Sequence, residues 1–260
     1  MADRRPLAQG ARGLRAWLLG SGGWIPTAGR ETACTVVRRG EDALVLDAGT
    51  GLQRLVADPA LVDGVRRLDV VLTHFHLDHV CGLAYLPALP VRPTVWAPGA
   101  WLYATPSADL LGPLRRAPIS PFEAGELGEV RELEAGAQAI GAFGLTTRAQ
   151  PRHWAPTAGL RIEDALALVT DTAYNPGSAD LGRGVAHLLH EAWSTSENPV
   201  ASEGDATAAE AAQVARDAGA RRLTLVHVNP RVPDEEALLA DARRLVPAAV
   251  LGRDATELEL

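Results

Sequence analysis

The chain has 260 residues, of which 47% are hydrophobic and 22% are charged. This is the composition of an ordinary globular protein with one large domain or two small ones. The formal net charge of −7 argues against a dedicated nucleic-acid-binding protein, because such proteins usually carry a basic surface.

No apolar run approaches the roughly 20 residues needed to span a bilayer. The run from Ala16 to Leu19 is also too short for the core of a signal peptide. We therefore expect a cytoplasmic protein without a membrane partner. The two cysteines, Cys34 and Cys81, fit reduced thiols, and a disulfide between them stays open.

Strand and helix patterns mix along the chain, with no linker-like segment between them. The predicted strands are residues 14–20, 33–38, 43–46, 68–73, 130–133, 144–148, 159–162, 165–170, 185–190 and 223–228. The predicted helices are residues 52–56, 80–86, 207–218 and 234–245. Residues 87–121, rich in proline and tryptophan, are predicted as strand and irregular loops. The mixture indicates two sheets, or one large sheet, covered by helices.

The most informative motif follows the predicted strand 68–73. It reads His74-Phe75-His76-Leu77-Asp78-His79, three imidazoles and a carboxylate in one short turn. Nitrogen and oxygen ligands at this density suit Zn²⁺, and Mn²⁺ or Fe²⁺ less closely. The alternative is a histidine-rich surface turn, but short histidine-rich tracts are typical of metal binding.

Four histidines lie outside this motif. His153, His190 and His227, together with Asp171, stand at or just beyond the carboxyl ends of predicted strands, where loops build sites. Each alone could be an ordinary polar residue, but together with the motif they predict further ligands. His187 precedes His190 by three residues on one strand, so it points to the opposite face, and we expect a structural role for it.

At this point the chain resembles a known family. The segments GSGGWIPTAGRETAC, LVLDAGTG, THFHLDH, VTDT, LLHEA and HVNPR, with His153 between the third and fourth, occur in a familiar order. They are similar to the metallo-β-lactamase fold superfamily and, within it, the ribonuclease Z-like phosphodiesterase branch. The resemblance runs from about Leu14 to the C-terminus. It implies a single α/β domain, a four-layer αββα sandwich with metals in a cleft at one edge of the sheets.

The resemblance also implies two divalent metal ions, with Zn²⁺ expected first and Mn²⁺ or Fe²⁺ as alternatives. The implied ligands are His74, His76 and His153 for one ion, Asp78, His79 and His227 for the other, and Asp171 between them. Asp47 would accept a hydrogen bond from a ligand histidine and fix its tautomer. The two ions would bridge a water and lower its pKa, and the resulting hydroxide would attack a phosphorus or carbonyl centre. Asp78 counts among both ligands and catalytic residues.

His190 is not needed as a ligand, so the resemblance leaves it free to act as a general acid on the leaving oxygen or to stabilise the transition state. Two departures from the family surround it. Trp193 stands where threonine is usual, and Asp205 stands where a second histidine usually precedes the alanine-rich helix. One hypothesis is that Asp205 pairs with His190 and raises its pKa; the other is that Asp205 only caps the helix. Glu191 is a further candidate partner for His190.

The spacing between motifs bears on the substrate. Only residues 154–170 separate His153 from Asp171, which leaves no room for the long arm of the transfer-RNA-processing members. Together with the acidic charge, this predicts a small-molecule substrate, such as a cyclic nucleotide or cyclic phosphate, and no transfer RNA. A group of aromatic residues could wall a pocket or simply pack: Trp96, Trp101, Tyr103 and Phe122. Arg152 and Arg231 could bind phosphate or form surface ion pairs, and a homodimer is usual for such enzymes.

Two other functions stay open, because one fold supports several chemistries. The same metal centre could serve a lactonase, a thioesterase or another hydrolase of C–O, C–S or C–N bonds. A non-catalytic binding protein is the third possibility, although a complete ligand set argues against it. The HEA turn with His190 favours the phosphodiesterase.

Overall fold

The structure is a computed structural model that describes residues 13–122, 125–198, 204–232 and 234–260. The described residues form these strands: β1 (Leu14–Gly20), β2 (Cys34–Arg39), β3 (Asp42–Leu46), β4 (Arg67–Val71), β5 (Thr94–Ala97), β6 (Glu129–Glu132), β7 (Gly136–Ile140), β8 (Phe143–Gln150), β9 (Thr157–Ile162), β10 (Leu166–Val169), β11 (His187–Glu191), β12 (Arg222–Val226), β13 (Val250–Leu251) and β14 (Thr256–Leu258). The α-helices are α1 (Gln53–Ala57), α2 (Leu77–Val80), α3 (Gly99–Tyr103), α4 (Ser107–Leu111), α5 (Pro176–Leu181), α6 (Ala208–Ala218) and α7 (Glu235–Arg243).

Two mixed seven-stranded sheets contain all of these strands. The first has the order β14-β1-β2-β3-β4-β5-β6, and the second has the order β13-β12-β11-β10-β9-β8-β7. Strands β3 to β6 run parallel to one another, as do β10 to β13. The carboxyl ends of parallel neighbours meet at one edge of a sheet, so each sheet gathers several loops at one edge.

The sequence of β3 shows why this strand is central. Its apolar residues alternate between two cores: Leu44 and Leu46 face the second sheet, whereas Ala43 and Val45 pack on the outer side with α1 residues. A strand buried on both faces reads as a continuous apolar run, which is typical of parallel strands. The second sheet has the same arrangement, with α5, α6 and α7 on its outer side. The predicted four-layer αββα sandwich is confirmed.

Several local predictions differ from the structure. The helix predicted at 80–86 is α2 followed by a 3₁₀ helix, Cys81–Ala88, which contains Pro87. Residues 87–121 include α3 and α4, and no strand was predicted at β7, whose sequence GAQAI lacks the usual strand formers apart from isoleucine. Pairing with β8 in an antiparallel hairpin overrides that weak local preference.

His187 and the cysteines behave as structural residues. His187 is buried, with Nδ1 2.9 Å from the carbonyl oxygen of Glu259 and Nε2 2.7 Å from Thr224 Oγ1. Both cysteines are free thiols. Within the described ranges, no helix is long and apolar enough to cross a bilayer; the cytoplasmic location stays a prediction.

We expect Phe143→Ala to lower the free energy of unfolding by about 3–5 kcal/mol. Phe143 is 1% exposed and lies in the core between the two sheets, so the smaller side chain leaves a cavity. Urea unfolding measures the change. Phe122→Ala is the matched control, because Phe122 is exposed and should change stability by no more than about 0.5 kcal/mol. Equal effects of the two substitutions would contradict this account of the core.

Candidate metal centre

Loops at one edge of the sandwich bring the predicted site residues together. Asp47 follows β3 and the motif 74–79 follows β4, so both come from the first sheet. His153 follows β8, Asp171 follows β10 and His227 follows β12, all in the second sheet. The cleft therefore receives ligand candidates from both sheets.

Three of these residues have a backbone conformation that is rare outside glycine. Asp47, Asp171 and His227 have φ angles of 59°, 52° and 49°, in the left-handed region. Such strain persists only where the surrounding structure fixes it, and it concentrates at functional sites. Here the buried strands that precede the three residues provide that constraint.

The potential ligand atoms fall into two groups, and within each group they lie within 4.8 Å of one another. The first group is His74, His76, His153 and Asp171, and the second is Asp78, His79 and His227. The resemblance to the family implies the same division.

Asp171 lies between the two groups. Its Oδ1 is 3.7 Å from His74 Nε2 and 3.6 Å from His153 Nε2. Its Oδ2 is 3.2 Å from His79 Nε2 and 3.5 Å from His227 Nε2. One carboxylate therefore faces both groups, with one oxygen toward each.

The second group is equally close-set. The Nε2 atoms of His79 and His227 are 3.2 Å apart. Asp78 Oδ2 lies 3.3 Å from His227 Nε2 and 3.5 Å from His79 Nε2. The backbone N–H of Trp24 donates to the same Asp78 oxygen at 2.6 Å, so the loop after β1 also orients this carboxylate.

Residues around the two groups contact the Nδ1 atoms of two imidazoles, on the side away from the cleft. Asp47 Oδ2 lies 2.9 Å from His79 Nδ1, and its Oδ1 accepts the backbone N–H of Thr73 at 2.8 Å. Thr73 Oγ1 lies 3.0 Å from His74 Nδ1. These contacts turn the opposite Nε2 atoms toward the cleft.

The predicted pairing of Asp205 with His190 is wrong. Asp205 Oδ1 lies 3.4 Å from His153 Nδ1, which is also 2.9 Å from the carbonyl oxygen of Gly204. Glu191 does not pair with His190 through its side chain either. Its Oε2 lies 3.6 Å from His227 Nδ1, and its Oε1 accepts the backbone N–H of Thr172 at 2.6 Å.

His190 itself is fully buried and does not line the cleft. Along β11 its side chain shares a face with Leu188, which packs among the helices, whereas Leu189 faces the other sheet. Its Nδ1 hydrogen-bonds with the carbonyl oxygen of Glu191 at 2.9 Å, and its Nε2 has no partner. Burial lowers the pKa of His190 to about 4, so the imidazole is neutral at pH 7 and poorly suited to protonate a leaving group.

The donor set fits divalent cations of the Zn²⁺ type. His74 Nε2 and His153 Nε2 are buried and lack a hydrogen-bond partner in the protein, and buried polar atoms without partners are costly. Both atoms lie on the side that faces Asp171. Imidazole and carboxylate groups converging in this way are the ligands of catalytic Zn²⁺ sites.

Opposite charges hold the second group together. Burial lowers the pKa of His79, but the carboxylates of Asp171, Asp47 and Asp78 outweigh it and hold that pKa well above its usual value. Burial likewise lowers the pKa of His227, but the Asp171 carboxylate outweighs burial, so the pKa of His227 is also raised. In the first group, burial dominates and the pKa of His74 is well below its usual value.

The cleft has a volume of about 670 Å³. Most of the apolar residues at its rim were not predicted from the sequence. Trp24, Ile25, Leu77, Trp154 and Trp193 line it. Trp193 stacks on His227, with ring centroids 5.5 Å apart. Periodicity could not reveal these residues, because the four apart from Leu77 lie in loops and Leu77 begins the single-turn helix α2.

The aromatic residues that were predicted as a pocket wall contribute nothing to this rim. Trp96, Trp101, Tyr103 and Phe122 are absent from the cleft lining. Trp96 donates its indole N–H to Asp69, and Tyr103 donates its hydroxyl to the carbonyl of Pro156. Arg231 lines the cleft, with its guanidinium over the Trp24 ring.

Comparisons with known proteins identify the family and the fold. The model of the beta-lactamase superfamily domain matches residues 43–228. Ribonuclease Z of Bradyrhizobium sp. (strain ORS 278) is 30% identical, and the match covers 91% of this chain and 96% of that protein. Among solved structures, the metallo-beta-lactamase fold protein YhfI from Bacillus subtilis has a TM-score of 0.79 at 18% identity, covering 95% of this chain and 99% of YhfI. Human tRNase Z, short form, has a TM-score of 0.67 at 18% identity, covering 94% and 98%.

We expect Gly23→Ala to lower the amount of metal that the purified protein retains. A Cβ atom at Gly23 would lie 2.6 Å from His227 Cε1 and 2.7 Å from both ring nitrogens, so the imidazole must move. Elemental analysis after gel filtration measures the loss. Gly29→Ala is the matched control in the same loop, because nothing lies within 4 Å of its Cβ. Equal metal contents in the two variants would contradict this role of Gly23.

We also expect metal binding to release protons, because ligand histidines must be neutral when they bind a metal. The neighbouring carboxylates hold the pKa values of His79 and His227 above the usual value, so protons compete with the metal for these imidazoles. Apparent affinity should therefore rise with pH until both pKa values are passed. Calorimetric titration of the metal-free protein in buffers of different ionisation enthalpy measures the release. A binding enthalpy that is independent of the buffer would contradict the prediction.

Proposed function

Because the chain belongs to the metallo-β-lactamase fold superfamily, in its ribonuclease Z-like branch, we propose that the phosphodiester bonds it hydrolyses are those of RNA. It is a metal-dependent hydrolase of the phosphodiesterase type. The RNA substrate is supported by the relatives, since the ribonucleases Z of Bradyrhizobium and others match along nearly the whole chain.

The same relatives correct one expectation from the sequence. A small-molecule substrate, with transfer RNA excluded, is wrong, because the relatives and the human tRNase Z are named for action on RNA. The turn between β9 and β10 is indeed short, spanning residues 163–165. The error was to treat one missing insertion and a whole-chain net charge as evidence about the cleft itself.

One observation carries the proposal: the Asp171 carboxylate presents one oxygen to each of two histidine groups. His74, His76 and His153 would hold one ion and Asp78, His79 and His227 the other, and Asp171 would offer one oxygen to each group. Zn²⁺ is the ion that this imidazole and carboxylate set favours. Bound divalent cations would supply an acidified water at neutral pH and would neutralise charge on phosphate oxygens.

The chain's own residues prepare the imidazoles for this task. The Nδ1 atoms of His79 and His153 each lie 2.9 Å from an acceptor oxygen, that of Asp47 and of Gly204. Glu191 Oε2 lies 3.6 Å from His227 Nδ1, close enough to attract its charge but not for a hydrogen bond. An imidazole that donates through Nδ1 keeps its Nε2 lone pair for the cleft. We therefore assign Asp47, Glu191 and Asp205 as positioning residues, and Asp205 acts on His153 instead of His190.

Trp193 and Arg231 complete the proposed site on the substrate side. Trp193 covers the face of His227 and shields the second group from water. Arg231 is the arginine among the described residues that line the cleft, and its planar guanidinium suits a phosphate. A general-acid role for His190 remains a prediction, and His190 is not among the described residues that line the cleft.

We expect the metal-loaded protein to cleave an RNA hairpin with an unpaired 3′ extension and to lose this activity on dialysis against a chelator. Asp171→Asn should lower kcat/KM by about 10²-fold or more, since an amide offers its N–H₂ to one of the two groups. Asp164→Asn, at an exposed carboxylate paired with Arg161, is the control and should leave activity unchanged.

The measurement is a time course of RNA cleavage, run in parallel with a lactone, a thioester and a β-lactam. Rapid turnover of one of these three, with intact RNA at the end of the assay, would contradict the proposed substrate. Full activity of Asp171→Asn would contradict the bridging role.

A further inference from the structure

Large apolar side chains remain exposed around the cleft. Four of them line it: Trp154 is 75% exposed, Leu77 65%, Ile25 47% and Trp24 45%. Exposed apolar patches of this kind mark binding surfaces when they adjoin a site. Trp154 is the most exposed of the large hydrophobic residues in the described parts of the chain.

The Trp154 indole is held flat against a proposed ligand residue. Its ring stacks on the His153 imidazole, with centroids 5.7 Å apart and an interplanar angle of 20°. Since the side chain is three-quarters exposed, the indole is available to a further planar group. A planar group that stacks on the outer face of this indole is separated from His153, a member of the first histidine group, by the indole alone.

Trp24 is held in a comparable way. Its backbone has a φ of 63°, which is an outlier for so bulky a residue, and its N–H donates to Asp78. The Arg231 guanidinium lies over its ring, with Cζ 4.3 Å from the centroid. Both tryptophans are therefore tied to ligand residues of the two groups.

We propose that Trp154 stacks on an unpaired base of the RNA substrate next to the scissile phosphodiester, and that the Trp24–Arg231 pair borders the same nucleotide-binding cleft. This inference rests on the proposed function. Base stacking on aromatic side chains is tolerant of sequence, because every base has a flat π face. The cleft would thus select unpaired nucleotides over paired ones, since bases within a duplex cannot reach the indole.

The charge of the chain favours recognition of RNA by base stacking rather than by a basic surface that contacts many phosphates. The formal net charge is −7, and the described cleft lining contains Arg231 together with the three carboxylates of Asp78, Asp171 and Asp205. A protein that makes many phosphate contacts loses affinity steeply with salt, by about 0.7 log units per contact and per log unit of salt on single strands. Few such contacts predict a shallow salt dependence here.

The test compares two RNA hairpins with unpaired extensions, one complete and one abasic at the nucleotides that flank the cleavage site. Trp154→Ala should raise KM for the complete RNA about tenfold, as expected for one lost stacking contact, and should leave the abasic RNA unaffected. Trp154→Tyr keeps a flat ring and should restore most of the affinity. Phe122→Ala, an exposed aromatic residue outside the cleft lining, is the matched control and should match the wild type.

A second readout does not depend on turnover. With 2-aminopurine in place of a flanking base, its fluorescence should be quenched on binding to the Asp171→Asn variant. The same quenching should be absent when Trp154→Ala is added. Equal KM changes for complete and abasic RNA, or quenching that survives Trp154→Ala, would overturn the inference.

The other occupant of such a patch is a second copy of the chain. Sedimentation of the wild type and Trp154→Ala separates the two cases, because a subunit contact would lower the mass of the variant, and that result also overturns the inference. If neither RNA is cleaved by the wild type, the proposed function itself fails. If the wild type cleaves both RNAs equally and Trp154→Ala is normal, the proposed function stands and the stacking site does not.

Discussion

The buried Asp171 carboxylate is the constraint on which the rest of the site depends. A buried ionised carboxylate is costly unless it is paired, and here four imidazole nitrogens lie within 3.7 Å of its oxygens. Burial alone would raise the pKa of Asp171, but His227, His79 and His74 outweigh it and hold that pKa well below its usual value. The same charge raises the pKa of His79 and His227. These histidines come from both sheets, so the carboxylate joins the two halves of the sandwich at their common edge.

Such an arrangement needs a rigid frame. The strands that precede Asp47, Asp171 and His227 are buried on both faces, and the left-handed residue lies within two positions of the end of each strand. The chain can sustain this local strain because the strand before it cannot shift without disturbing two cores. Gly23 shows how close the fit is, since no Cβ can be added beside the His227 ring without movement. The positions of the side chains at the cleft are thus fixed by the packing of strands that lie away from it.

Most of the strands, the helices α6 and α7 and the residues that converge at the cleft edge could be predicted from the sequence because local signals carry them. The HxHxDH spacing is visible in one turn, and Asp171 and His227 stand where apolar runs end. Partner assignment failed because sequence neighbours do not share a face. His190 and Glu191 are adjacent on β11, so they point to opposite sides of the sheet, and this alternation could have separated their roles. The cleft-lining tryptophans, Trp24 and Trp154, were missed because the exposure of a loop residue depends on tertiary packing.

The substrate error has a physical origin of its own. A net charge of −7 averages over the whole surface, whereas affinity for a phosphodiester depends on the few charges within about a Debye length of it, roughly 8–10 Å in physiological salt. Within the cleft, bound divalent cations would offset Asp78 and Asp171, and Arg231 adds a further positive charge. A nuclease that uses this local charge and the flat faces of tryptophans has no need of a basic exterior. An acidic chain and an RNA substrate are therefore compatible when recognition is concentrated at the cleft.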